Sequence, residues 1–329
     1  MKCMQKTILS RRAFLHHAVS GVATASLSNP LTAPTVPAID THTHFYDPTR
    51  PQGVPWPKPE ETLLYRPYLP PQFNTLTAPL GVVGTVVIEA SPWVEDNQWV
   101  LDLAQTNPAI VAFIGNLKLG QPEFAAQLQR FSANPLFRGL RLNERTIAEG
   151  LGQRAFERDV QRLGEHQLTI DVLGGAALLP NVLRLAQLAP RLRIVIDHLP
   201  FPAWDGAPAT MRAALADLAR LPQVYAKVSN VARRVDERVI TDKAAYRPSL
   251  DVLWKLFGAD RLLFGSNWPV SERVAPYAAC HQIVAAYFNG HGQAAAEKFF
   301  WRNSRRAYRW VARGVARGVA RGVAQGLEK

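Results

Sequence analysis

The chain has 329 residues, 47% of them apolar, two cysteines and a net charge of +12. It holds enough apolar residues for one large core, and no apolar run reaches the roughly 20 residues of a membrane span. The positive charge is spread out rather than gathered in a block, which argues against a nucleic-acid ligand, and two cysteines cannot build a disulfide framework.

In chain order, Ser10-Arg11-Arg12-Ala13-Phe14-Leu15 matches the twin-arginine export pattern. A mildly apolar stretch follows from Ala18 to Leu27, and Ala23-Thr24-Ala25 offers a cleavage site. Residues 1–36 therefore read as a signal peptide and linker, with the twin-arginine export machinery as a partner and the periplasm as destination. Lys2, Lys6, Arg11 and Arg12 would leave with the leader, as would Cys3, so the mature chain keeps only Cys280.

Eight β-rich segments follow: Ala38–Phe45, Gly84–Ala90, Ile110–Leu117, Phe137–Asn143, Leu168–Leu173, Arg193–Leu199, Val224–Asn230 and Arg261–Asn267. Most are rich in Val, Ile and Leu, as strands buried on both faces should be. Between them, Asp96–Gln105, Pro122–Ser132, Ala155–Glu165, Asn181–Leu188, Ala209–Leu221 and Ser249–Phe257 repeat apolar residues at helical spacing. Eight strand–helix units predict an α/β protein with a closed (β/α)8 TIM barrel over residues 37–310. The first connection, residues 46–83, is rich in proline and reads as a long loop folded over one end.

Polar residues gather at the C-terminal ends of these strands. His42 and His44 lie on the first strand, Glu89 on the second, Asn116 on the third, and Arg141 with Asn143 on the fourth. Asp171, Asp197 with His198, Lys227 with Ser229, and Ser266 with Asn267 complete the set. In a (β/α)8 barrel those ends form the mouth of the active site, so the distribution predicts an enzyme. Trp56, Trp93 and Trp204 lie in loops that would surround that mouth. After the barrel, Val-Ala-Arg-Gly recurs from Val311 to Gly322. A glycine at every fourth position costs a helix about 1 kcal/mol each, so residues 311–329 read as a frayed, low-complexity tail.

Four motifs carry a resemblance to a known family: Ile-Asp-Thr-His-Thr-His-Phe at 39–45, Val-Ile-Asp-His-Leu-Pro at 195–200, Lys-Val-Ser at 227–229 and Asp-Arg-Leu-Leu-Phe-Gly-Ser-Asn-Trp-Pro-Val at 260–270. Together they resemble the amidohydrolase superfamily. The likeness is to the branch of predicted metal-dependent hydrolases that contains 2-pyrone-4,6-dicarboxylate lactonase, 4-sulfomuconolactonase and sugar-acid lactonases. The resemblance implies a distorted barrel whose mouth hydrolyses small lactones. It places His42 and His44 as the first-strand pair, His198 as the sixth-strand histidine, and Asn267 where the family usually has an aspartate. An amide cannot take a proton near neutral pH, so Asn267 can position a water but not deprotonate it.

The fifth strand carries no histidine, and the fourth offers Arg138, Arg141 and Asn143 but no Lys or Glu to bridge two metals. Two arrangements follow from the resemblance. Either His42, His44 and His198, or a set that recruits Glu89 or Asp171 from a neighbouring strand, hold one divalent metal such as zinc, or the histidines polarise the carbonyl with no cofactor. The expected reaction is opening of a small, anionic lactone or related carbonyl ester. Arg141, with Lys227, would anchor a substrate carboxylate, while Glu89 and Asp171 would face the substrate as candidate bases, a role one of the histidines could also fill if neutral. A metal-dependent decarboxylase on the same scaffold and a non-catalytic periplasmic binding protein are the two other readings. Sequence alone does not set the oligomeric state.

Overall fold

A computed structural model of the chain describes residues 36–200 and 209–318. The twin-arginine segment, Trp204 and residues 319–329 of the tail lie outside the described residues. The strands are β1 (Ala38–Thr43), β2 (Val82–Ile88), β3 (Ile110–Gly115), β4 (Phe137–Asn143), β5 (Thr169–Leu173), β6 (Arg193–Leu199), β7 (Val224–Val228) and β8 (Leu262–Phe264). All eight belong to one parallel sheet in which each pairs with its sequence neighbour. The architecture is the expected (β/α)8 barrel. A short antiparallel ribbon, Arg234–Val235 with Arg238–Val239, stands apart from it.

The eighth strand is shorter than its apolar run suggests. After Phe264 the chain leaves the ladder, and Asn267 adopts a left-handed conformation (φ 64°). The seam with β1 is closed instead by single bonds. Thr41 Oγ1 donates to the Phe264 carbonyl (2.6 Å), Asn267 N–H to the His42 carbonyl (2.9 Å) and His44 N–H to the Trp268 carbonyl (2.8 Å). Gly265 makes this approach possible. A Cβ there would lie 2.9 Å from the Cβ of His42 and 3.2 Å from Cδ of Lys227.

Two apolar clusters divide the molecule. The larger packs the outer faces of the strands against the helices. The smaller joins Ile39, Val86, Val111, Val195, Tyr225 and Leu263, residues of six different strands, which can meet only inside the barrel. Trp301, Tyr308 and Trp310 enter that same cluster from the end of the chain. The segment carrying them is anchored where it crosses the strand starts. Asn303 Nδ2 donates to the carbonyls of Ala259 (2.8 Å) and Leu262 (2.9 Å), and the Ala307 carbonyl accepts from Thr169 Oγ1 (2.7 Å) and Arg193 Nε (2.7 Å).

Two expectations need correction. The connection 46–83 is not all loop, since Pro70–Thr77 is a helix with proline in its first turn, where the missing N–H costs nothing. The repeat is not a free appendage from Val311 onward. Val311 N–H donates to the Val111 carbonyl (2.9 Å), Arg313 donates to the carbonyls of Ile110 (3.1 Å) and Ala104 (2.7 Å), and Ala316 is fully buried. The glycine cost is real, but tertiary contacts outweigh it over this first repeat.

Candidate active site

Strand register sets the levels of the site. Arg141 on β4 pairs with Asp171 on β5, and Asp171 pairs with Val195 on β6, which pairs with Tyr225 on β7. Asp197 and Lys227 stand two residues further toward the mouth on β6 and β7. The result is a buried ion network. Lys227 Nζ lies 2.5 Å from Asp171 Oδ2, 2.9 Å from Asp197 Oδ1 and 3.3 Å from His42 Nδ1, and all four residues are inaccessible to solvent. Asp171 has a further partner in the Tyr308 hydroxyl, which sits 3.0 and 2.9 Å from its two oxygens. Burial raises Asp171 to about 7 against the opposing pull of Lys227. Burial also acts on Asp197, but Lys227 and His42 outweigh it and keep that carboxylate well below its usual range.

Lys227 and Asp171, read from sequence as substrate contacts, are therefore enclosed beneath His42. Asp40 does similar work at the seam. Its Oδ1 accepts from the N–H groups of His42 (3.0 Å) and Ser266 (2.9 Å), and its Oδ2 accepts from the Tyr277 hydroxyl (2.9 Å).

The three histidines do converge. The ring of His42 lies 5.0 Å from that of His44 and 4.5 Å from that of His198. His198 Nδ1 is 2.9 Å from Ser229 Oγ. His44 Nδ1 faces the carbonyls of Ile88 (3.0 Å) and Glu89 (3.2 Å). A carbonyl only accepts, so His44 carries its proton on Nδ1 and presents a bare Nε2, with the Asn267 side chain as a hydrogen-bonding neighbour. Burial depresses all three imidazoles. His42 falls far below its ordinary value with Lys227 adding to the effect, His44 to about 3 with Arg141 adding, and His198 to about 4 against the pull of Asp197. All three are uncharged at neutral pH.

Arg141 and Glu89 form a pair at the rim. Arg141 Nε and one Nη lie 2.7 Å from Glu89 Oε1, and that Nη also reaches the Glu89 carbonyl (2.9 Å). Beside them Tyr46, Arg50, Trp56, Glu89, Asp96 and Trp99 line a narrow cleft. Trp56 stands edge-on to His44, with ring centroids 6.2 Å apart. Trp93 is 40% exposed and is not among the residues lining that cleft.

Residues 39–310 match the amidohydrolase family, Amidohydro_2. The chain belongs to the amidohydrolase family. The L-fucono-1,5-lactonase of Burkholderia ambifaria is 30% identical over 281 residues, covering 82% of this chain and 95% of that protein. The corresponding lactonase of Burkholderia multivorans is 28% identical, over 80% of this chain and 92% of its own. An amidohydrolase from Burkholderia multivorans, crystallised with bound zinc, superposes with a TM-score of 0.75 at 27% identity, covering 83% of this chain and 99% of that one. A putative 2-pyrone-4,6-dicarboxylic acid hydrolase from Pseudomonas putida shares the fold, with a TM-score of 0.62 at 23% identity over 83% and 97% of the two chains.

Whether the residues of this amidohydrolase suit a divalent metal can be judged from three side chains. His42 Nε2 is buried without a hydrogen-bond partner among the described residues, as is Asp197 Oδ2. His42, Asp197 and His198 each bring one donor atom to within 4.8 Å of the others. Two neutral imidazoles and an ionised carboxylate form a donor set that zinc accepts. The residues fit, but the set differs from the one read in the sequence. Asp197 joins His42 and His198 in that group, while His44, with Nδ1 held by backbone carbonyls, keeps its Nε2 free beside them.

Proposed function

We propose that this amidohydrolase opens the lactone of a sugar acid, a neutral ring rich in hydroxyl groups. The observation that carries the reading is the convergence of three uncharged imidazoles beside an ionised carboxylate, with His42 Nε2 and Asp197 Oδ2 left without hydrogen-bond partners among the described residues. The lactonases named above support the substrate class. Charge supports it too. Around the histidines, Arg141 and Lys227 face Glu89, Asp171 and Asp197, and both cations are paired. A site with no surplus positive charge suits a neutral lactone better than the anionic one expected from sequence.

Lactone hydrolysis adds water to the ring carbonyl and expels the ring oxygen as an alcohol. The site must hold the water, stabilise an oxyanion and move a proton. The bare Nε2 of His44 accepts a hydrogen bond from the water and Asn267 beside it orients that water, and the proton the water gives up passes to the ring oxygen as the C–O bond breaks. Glu89, held by Arg141, lines the pocket instead of acting as a free base. The second Nη of Arg141 stabilises the carboxylate that forms as the ring opens. Held by His42, Asp197 and His198, a divalent metal would supply Lewis acidity to the carbonyl and acidify a bound water.

The test is a panel of aldono-1,5-lactones, aldono-1,4-lactones, a dicarboxylate lactone and a dihydroxybenzoate. Each is followed by proton or carbon dioxide release, before and after chelation and zinc addition. Neutral sugar-acid lactones should turn over, and His42→Ala should lower turnover by about 10²-fold or more. Binding without turnover, or decarboxylation in place of ring opening, would overturn the reading.

A further inference from the structure

The ion network beneath His42 reaches the opposite end of the barrel through one hydroxyl. Tyr308 is fully buried, lies in the segment that closes the strand starts, and bonds both oxygens of Asp171. Asp171 Oδ1 has no other hydrogen-bond partner among the described residues. Asp171 Oδ2 holds Lys227, whose ammonium also lies 5.4 Å from the centroid of the Tyr308 ring. Lys227 in turn pairs with Asp197 Oδ1, and His42 Nδ1 lies beside both, 3.4 Å from that oxygen and 3.3 Å from the ammonium nitrogen. The chain of contacts is unbranched between the hydroxyl and Lys227, so it transmits position. Removing the hydroxyl leaves Asp171 Oδ1 unpaired in a buried site, and its cheapest remedy is to rotate onto Lys227.

We propose that Tyr308 is a positioning residue for the active site, acting from the closed end of the barrel through Asp171 and Lys227 to set the orientation of His42 and Asp197. Nothing in the mechanism uses Tyr308 directly, and it lies too deep to touch substrate. In its kinetic consequence the proposal rests on the lactonase reading. In its structural consequence it does not.

The experiment compares Tyr308→Phe with Trp310→Phe. Trp310 belongs to the same closing segment, and its Nε1 donates to Ser304 Oγ (3.0 Å), away from the ion network. Both variants are followed by thermal melting, by steady-state kinetics on the best lactone and by the 15N signals of labelled histidine, with His42→Gln assigning the His42 resonances. Tyr308→Phe should lower kcat about ten-fold with KM unchanged, the lower end of what losing an orienting partner costs, and should shift the His42 signals. Trp310→Phe should leave both at wild-type values even where it lowers the melting temperature. Unmoved His42 signals in Tyr308→Phe, or equal changes in the two variants, would overturn the proposal. If wild type opens no lactone, the reading of function fails and the His42 signals still decide: a shift specific to Tyr308→Phe upholds the positioning role, and its absence removes it.

Discussion

Asn267 holds a left-handed backbone position that Asp tolerates as well as Asn does, so Asn267→Asp should fold without strain. The change sets a carboxylate beside His44, whose ring packs against that of His42. Zinc should then bind more tightly in a chelator-competition titration, and the pH–rate profile should gain an acidic limb in the carboxylate range. Unchanged zinc affinity and an unchanged profile would show that position 267 does not face the reacting water. The histidines were readable in the sequence because His-x-His and Asp-His-Leu-Pro are short, local patterns. The role of Asp197 was not. Adjacent residues on a strand point to opposite faces, so crediting His198 argues against Asp197. The two coexist because His198 leaves the strand conformation, with φ at 58°. Tyr308 gave no local signal at all, since its partner lies 137 positions away.

Among the elements, the strands were read within a few residues because buried parallel strands are continuous apolar runs. The last strand was overextended, since hydrophobicity does not report a backbone that turns to a left-handed residue. The repeat was misjudged for the opposite reason. Helix propensity was counted, and the close approach of Gly314 to Pro108, where an added Cβ would lie 3.1 Å from the proline Cβ, could not be seen. Arg313 is the fastening point, and Arg313→Ala should lower stability by about 1–2 kcal/mol through two lost carbonyl bonds. A urea midpoint equal to wild type would show that the repeat is idle on the barrel.

For the whole molecule, acid stability is set partly by a histidine far from the site. His281 lies between Phe264 and Phe300, with ring centroids 5.5 and 5.4 Å away, and burial lowers it to about 4. Its folded value is below the unfolded one, so between pH 6.5 and about 4 the unfolded chain binds more protons and stability falls as pH falls. His281→Phe should flatten that decline by about 1 kcal/mol per pH unit, measured by urea unfolding at pH 4.5, 5.5 and 6.5. An unchanged slope would assign the acid sensitivity elsewhere.

The seam between the first and last strands also sets how late in synthesis the site can be assembled. Asp40, which holds His42 in place, receives the bond to its second oxygen from Tyr277, 237 positions later in the chain. A ribosome adding about 5–20 residues per second exposes the histidine pair long before either tyrosine exists. A nascent chain, or one terminated before its final helix, carries the reactive imidazoles without the scaffold that aims them. A chain that stops before Tyr277 and Tyr308 lacks the bonds that fix Asp40 and Asp171, so its histidines should stand unaimed.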